Sequence, residues 1–435
     1  MAEPKDGDLP RKLNFVIVGG SLGGLAAGIA LKALGHHTTI LERNPTALLH
    51  DQGAGIVAGG DALEFLERYN RCKRPISVSS HRRQYLDRSG KVVHTVDMIQ
   101  NMSSWDLTYH IFRANYDGTP SPYCDAPHLD ASHGSATHLH NRTVTSLEET
   151  PTGVLVHWKS TTDPSVTGSL LADRVIGADG PSSTIRSLFV PNLERTYAGY
   201  CTLRGTVPES EATPETLSAF AHRFTFYHGP GIQILAYLIP GINGTVEPGQ
   251  RLINFVYYTN FPANSPELDE ILTDVHGTRR RITIPPGMVS PQAWEKQKVI
   301  AKENLPPQFA ELVCKATKPF VQAVTDVISP EHEFMNGKVV LIGDALAGFR
   351  PHTVASTSQA AFDAMIYADH VQGKVSREEW KRETMGFAGF IQQRGVEMGN
   401  RSQHMVLGLE EYIADRDQAS KPRRDEVYPE WAIKI

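Results

Sequence analysis

The sequence predicts an α/β protein: a doubly wound, nucleotide-binding sheet interrupted by a strand-rich insertion and followed by C-terminal helices. Three observations predict it. A strand–turn–helix–strand unit opens the chain at FVIVGGSLGGLAAGIALKAL, Phe15 to Leu34. Two later apolar strands each end in Gly-Asp, within RVIGADG and KVVLIGDA. Between those two, the hydrophobic residues change to a period of two, the signature of half-buried strands. A chain of 435 residues is long enough for two or three domains.

In the opening unit, Phe15 to Val18 form a short apolar strand of the kind buried in a parallel sheet. Gly19 takes the tight turn, and Gly24 lets the next helix lie close to the strand. The helix runs through Leu25, Ile29 and Leu34, with Gly35 where a C-terminal cap is expected. A second strand, Thr38 to Leu41, delivers Glu42, 23 positions after Gly19. That is close to the spacing at which an acid accepts hydrogen bonds from a ribose. Ser21 replaces the second glycine of G-x-G-x-x-G; its Cβ narrows the approach to a pyrophosphate while its hydroxyl adds a donor. Leu22 at the helix start and Arg43 beside the acid complete the candidate set. Glu42 repels a 2′-phosphate, which disfavours NADP at this particular position.

The later strands present Asp179 and Asp344 where the chain turns toward a cofactor crevice. After Asp344 and Pro351 a helix is predicted over Thr357 to Asp369, with Ser356 as its N-cap. A helix N-terminus there would stabilise negative charge gained by an electron-accepting ring. An NAD-dependent dehydrogenase needs only the first motif and leaves both Gly-Asp strands without a purpose.

Composition narrows the classes further. With 40% hydrophobic residues, 21% charged residues and a net charge of −5, nothing points to nucleic acid. The polar start MAEPKDGDLPRK has no apolar leader and no apolar run spans a bilayer, so a cytoplasmic protein is expected. Four scattered cysteines, with no short pair, exclude a disulfide scaffold and a zinc ribbon and give no support to a redox-active dithiol. His133, His138 and His140 lack acidic or cysteine partners at ligand spacing, so no metal is expected.

GGSLGG, GADGPSSTIR and LIGDALAGFRPH together resemble the three flavin motifs of the single-component FAD-dependent aromatic hydroxylases, the group of para-hydroxybenzoate hydroxylase. LHDQGAGIV, MSSWDLTYHIFR, RGTVPE and FTFYHGPGIQILAYLIPG are closer to the 2,6-dihydroxypyridine 3-hydroxylase branch. The resemblance spans about residues 13 to 370. It implies a Rossmann-like FAD-binding domain from 13–75, 103–190 and 331–370, a substrate domain from 76–102 and 191–330, and a helical region from 371–435.

The same resemblance implies that Gly19, Ser21 and Gly24 line the pyrophosphate and that Glu42 holds the adenosine ribose. Gly55 and Ile56 would approach the flavin through backbone groups, and Asp179 would hold a loop serving both FAD and transient NAD(P)H. Asp344 would meet the ribityl or pyrophosphate portion, with Pro351 to Ser356 passing beneath the isoalloxazine. Arg350 would orient either an acidic substrate or the flavin. The sequence departs from the family in Gly343-Asp344-Ala345-Leu346-Ala347, in a glycine-free turn from His352 to Thr357, and in Ser104 where many relatives carry arginine.

The implied activity is hydroxylation of an aromatic or N-heteroaromatic small molecule, with NADPH or NADH as reductant, O2 as oxidant and a flavin C4a-hydroperoxide as the transfer agent. An epoxidase or rearrangement enzyme, and a flavin-binding protein without oxygenase activity, are the alternatives. His352 is the first candidate to move a substrate proton, because its side chain titrates near neutral pH and it follows Arg350-Pro351. His228 and Tyr237 come second. Phe224, Phe226 and His228 share one strand face, and Phe255 and Tyr257 share a face of a later strand. Most of these are expected to be core, with one or two reaching a pocket. A monomer or a homodimer is expected.

Overall fold

The computed structural model of the protein describes residues 11–50, 55–128, 130–405 and 407–419. Asp51 to Ala54, within LHDQGAGIV, lie outside the described residues, as do both chain ends.

The opening unit forms as its pattern dictates. The strand Asn14–Val18 lies between Arg174–Gly177 and His37–Leu41, parallel to both. Val339–Leu341 and Ala136–Leu139 extend this sheet outward, and Glu333–Phe334 closes one edge antiparallel. Alternation along the first strand sorts its side chains to two cores. Phe15 and Ile17 pack among the helices Leu22–Ala33, Trp105–Asp117 and Ser356–Val371. Val16 and Val18 meet Val144, Val154 and Val156 of a three-stranded antiparallel meander on the opposite face. Gly35 takes φ +88 just past the first helix, the left-handed turn for which glycine is suited.

The strand-rich part is one large sheet. Its order runs from Thr283–Ile284 through Phe320–Ile328, Thr196–Pro208, Leu252–Asn260, Ile232–Ile239, Arg223–Gly229, Val78–Leu86 and Val92–Ser104 to Gly55–Ala58. The expected hairpin at Gly229-Pro230-Gly231 is present: Gly229 pairs with Ile232, and Gly231 takes φ +68 in the two-residue turn. Phe255 and Tyr257 are core, packed under the helices Pro291–Asn304 and Pro307–Lys315. Phe224, Phe226, Tyr237 and Tyr258 form an aromatic cluster on the other face.

Gly55–Ala58, on the segment that opens the nucleotide-binding part, hydrogen-bonds with Asn101–Ser104 of the large sheet and ties the two regions together. At the C-terminal end, Arg377–Gln403 covers the parallel-sheet side through Phe387 and Ile391. The helix Leu409–Ala419 lays Tyr412 onto the aromatic face. Among the described residues no helix is long and apolar enough to cross a membrane.

Candidate active site

The parallel sheet reverses direction of winding at Asn14–Val18, with Arg174–Gly177 on one side and His37–Leu41 on the other. Ligands bind beyond the carboxyl ends of strands at such a reversal, where the loops diverge. Two adjoining cavities lie there. One is lined by Gly19, Ser21, Glu42, Arg43 and Asp179. The other is lined by Ser21, Leu22, Gly55, Ile56, Asp344 and Pro351, with Ser356 and Ala360 at the start of a 16-residue helix. Ser21, Trp105, Ala178 and Gly180 border both, so the cavities run into one another.

The glycine turn is held by backbone packing. A Cβ on Gly24 would sit 1.9 Å from the Gly19 carbonyl oxygen, and Gly19 itself takes φ +104. Neither position admits a side chain without moving the turn. Ser21 is the N-cap of the helix but its hydroxyl makes no capping bond. Glu42 is buried, and its two carboxylate oxygens accept from the Gly20 and Asn44 backbone N–H groups, each at 2.7 Å. A carboxylate oxygen has a further lone pair, so the acid can accept a ligand hydroxyl as well.

Asp179 accepts the Thr184 N–H at 2.6 Å and the Ile185 N–H at 3.2 Å, and also takes the Ser183 hydroxyl. It therefore holds the Gly177–Phe189 loop in shape; burial raises its pKa against those bonds. Asp344 lies in a single tight turn, Gly343–Ala345, at the end of its strand. Burial pushes its pKa up to about 6, offset in part by Arg195 and the Ser356 hydroxyl. Ser356 is thus the first residue of its helix and turned toward Asp344, whereas Ala355 occupies the N-cap position predicted for Ser356. The sequence cue is one residue off: the helix begins at Ser356, and its hydroxyl serves Asp344.

Arg350 is engaged away from these walls. It is paired with Asp326 at 2.8 Å, donates to Asn400 Oδ1 at 3.0 Å and lies over the Tyr200 ring. His352 stacks on Tyr258 with ring centroids 4.2 Å apart. Its Nδ1 is 3.0 Å from Gln233 Oε1, which can only accept, so Nδ1 carries the proton and Nε2 accepts from the Tyr200 hydroxyl at 3.0 Å. Gln233 Nε2 in turn donates to Tyr412 Oη at 3.1 Å. Desolvation, then Arg350 and His228, lower the His352 pKa to about 3. The imidazole is therefore neutral near pH 7, and the near-neutral titration read from its residue type does not hold here.

His228 stacks on Tyr412 at 3.8 Å with its pKa lowered to about 4 by burial, and Tyr237 is buried with its pKa raised to about 12. The Tyr237 hydroxyl reaches the Gly55 backbone, where a Cβ would come within 2.7 Å of it. Tyr237 therefore backs the Gly55 wall of the second cavity without lining it, and His352 and His228 stack within the aromatic cluster behind. Ser104, in the place of the family arginine, caps the helix Trp105–Asp117 by accepting from Leu107 N–H at 3.2 Å. The glycine-free turn after Pro351 places Val354 at φ +52, a left-handed conformation that strains a β-branched residue.

Several wall residues carry no local motif. Arg195, Arg204, Gln322 and Thr325 line the second cavity from strands of the large sheet or the segment leading into it. Arg204 donates to the Gly55 carbonyl at 3.2 Å, and Arg195 is the cation nearest in effect to Asp344. Trp105 lies within MSSWDLTYHIFR, so its neighbourhood is visible in the sequence even though its role as a wall is not. Among the described residues no group of three or more histidine, cysteine or acidic side chains converges as a metal site.

The donors and acceptors present fit a flavin dinucleotide. An acid stands at the end of each of three parallel strands, a long helix starts at the second cavity, and the two cavities are continuous. Comparison with known proteins agrees. A family profile described as FAD binding domain-like matches residues 197–326. The 2,6-dihydroxypyridine 3-monooxygenase of Paenarthrobacter nicotinovorans is 28% identical over 400 residues, 91% of this chain and 93% of the relative. The solved 2,6-dihydroxypyridine-3-hydroxylase of Arthrobacter nicotinovorans superposes with a TM-score of 0.79 at 26% identity, covering 97% of this chain and all of that one. Klebsiella pneumoniae HpxO, solved with FAD and uric acid, shares the fold with a TM-score of 0.66 at 17% identity, over 94% of this chain and 92% of its own. The likeness to the single-component FAD-dependent aromatic hydroxylases thus extends from three short motifs to nearly the whole chain, with the 2,6-dihydroxypyridine 3-hydroxylase among its relatives.

Proposed function

We propose that the chain is an FAD-dependent monooxygenase that uses NAD(P)H and O2 to hydroxylate a planar aromatic or N-heteroaromatic small molecule. The observation that carries this reading is the continuous pair of cavities, one at the dinucleotide turn and one between Asp344 and the large sheet. Bound FAD supplies the electron transfer from NAD(P)H and the activation of O2.

In this reading Ser21, Leu22 and the turn at Gly19 and Gly24 hold the pyrophosphate, and Glu42 holds the adenosine ribose beside Arg43. Asp344 accepts hydroxyls from the ribityl side, and the Gly55 and Ile56 backbone with Pro351 and Ser356 frames the ring. The segments 13–75, 103–190 and 331–370 supply this unit, while 76–102 and 191–330 supply the substrate side. Arg204 faces the cavity where a substrate meets the ring, and Tyr237 backs its Gly55 wall. His352 acts through Tyr200: its unprotonated Nε2 accepts a hydrogen bond from the Tyr200 hydroxyl while Nδ1–H is held by Gln233, so the neutral ring positions that phenol. The apolar walls exclude water from the reacting ring.

The visible spectrum of the purified protein, before and after anaerobic NADPH or NADH, tests the reading. Flavin bands that bleach, followed by substrate-stimulated oxygen uptake with a hydroxypyridine or hydroxybenzoate panel, support it. A protein that neither carries nor takes up FAD refutes it.

A further inference from the structure

Cys72 and Cys124 are separated by 52 positions and share no sequence motif. The fold brings them to one cavity, lined also by Arg71, Lys73 and Arg74. Both are tied to the same helix, Trp105–Asp117. Asn115 Nδ2 donates to Cys72 Sγ at 3.4 Å, and Cys124 Sγ donates to the His110 carbonyl at 3.4 Å. Both thiols thus rest on the same stretch of one helix and line the same cavity.

Their backbones are fixed independently. Asn70 Oδ1 accepts the Cys72 N–H at 2.9 Å and an Asn115 amide proton at 3.0 Å. Cys124 exchanges backbone bonds with Ser121. We propose that Cys72 and Cys124 form a reversible intramolecular disulfide, making this cavity an oxidation site separate from the flavin cleft.

The reactive partner is Cys124. The neighbouring Cys72 lowers its pKa against the burial that raises it, with a further contribution from Arg74, while Cys124 and burial raise the Cys72 pKa. With hydrogen peroxide as oxidant, the Cys124 thiolate breaks the O–O bond, becomes a sulfenic acid and releases hydroxide, which takes up the thiol's proton as water. Cys72 Sγ then attacks that sulfur; the S–S bond forms, the S–O bond breaks, and a second water leaves with the Cys72 proton. Two thiols lose two electrons, and one peroxide becomes two waters. By contrast, burial pushes the Cys201 thiol up to about 12, which keeps it inert.

The test uses the full-length protein, treated with hydrogen peroxide, alkylated and digested without reductant. The expected product is a peptide pair joined through Cys72 and Cys124, released by dithiothreitol, with two of the four thiols lost to titration. Cys72→Ser, at the more accessible position, and Cys124→Ser each abolish the pair. The bridged form also melts at higher temperature than the reduced form, because it closes a long loop. Recovery of Cys72 and Cys124 unlinked, or separately over-oxidised, under conditions that oxidise free glutathione would overturn the proposal. Because thiol mapping needs no turnover, the result stands whether or not the protein is a monooxygenase.

Discussion

The parallel sheet and the large sheet build their halves of the cleft in different ways. At the parallel sheet, each group sits just past the end of a strand and is placed by its own backbone: Gly19 and Glu42 follow their strands directly, and Asp179 and Asp344 come two and three residues after theirs. At the large sheet, Arg204, Gln322 and Thr325 supply the wall, and behind it the polar chain Tyr200–His352–Gln233–Tyr412 joins four distant segments by side chains alone. The first half tolerates little change in backbone shape, and the second tolerates little change in side-chain identity.

The largest break in that comparison is expected at the turn. Gly24→Val drives side-chain atoms into the Gly19 carbonyl, and the purified variant is expected to hold essentially no flavin by absorbance. Flavin content equal to the parent's would show that the turn has an alternative packing. Next comes His352→Ala, which removes the acceptor for Tyr200 and the donor to Gln233 together. Steady-state turnover is expected to fall by up to about tenfold, the worth of a lost positioning hydrogen bond, with flavin content retained. Loss of both in proportion would make the residue merely structural.

Asp344 sharpens the comparison by pH. Its folded pKa of about 6 lies above its ordinary value of 3.8, so between those pH values the folded chain keeps a proton that the unfolded chain has released. Its contribution to stability is therefore full below that window and falls as pH rises through it. Ligand hydroxyls favour the carboxylate, so FAD affinity is expected to be roughly tenfold weaker at pH 5 than at pH 7, a dependence of about one decade per unit at most. Titration of apoprotein with FAD measures it, and Asp344→Asn is expected to flatten the curve. The smallest effect is expected from Val354→Gly, which relieves a left-handed β-branched residue at a modest entropic cost. A melting temperature raised by a degree or two is the expected outcome; a lowered one would show that the valine side chain contributes packing that outweighs its strain.

This contrast also explains what the sequence could reveal. The strand ending at Val18, the turn glycines, Glu42 and both Gly-Asp strands are readable because covalent geometry allows few residues at fixed spacing there. Pairing across the hairpin at Gly231 is readable for the same reason. His352 was visible only as a residue type, and its neutral state follows from Tyr200, Gln233, Tyr258 and Arg350, which no local pattern connects to it. Arg350 looked like a cleft residue by position in the motif, yet Asp326 and Asn400 hold it elsewhere. Cys72 and Cys124 form no motif at all until helix Trp105–Asp117 gathers them.

The central strand of the parallel sheet also sets a schedule for biosynthesis. Asn14–Val18 pairs with Arg174–Gly177, and that strand pairs with Val339–Leu341, so the sheet closes only after most of the chain has left the ribosome. At ordinary elongation rates of about 5–20 residues per second, roughly a quarter of a minute to a minute separates the first strand from the last. Over about the second half of that interval the apolar edge of Arg174–Gly177, already made, has no outer neighbour. A variant that weakens the final strand would therefore be lost chiefly during synthesis, as aggregated nascent chain, even where the finished protein is stable enough to isolate.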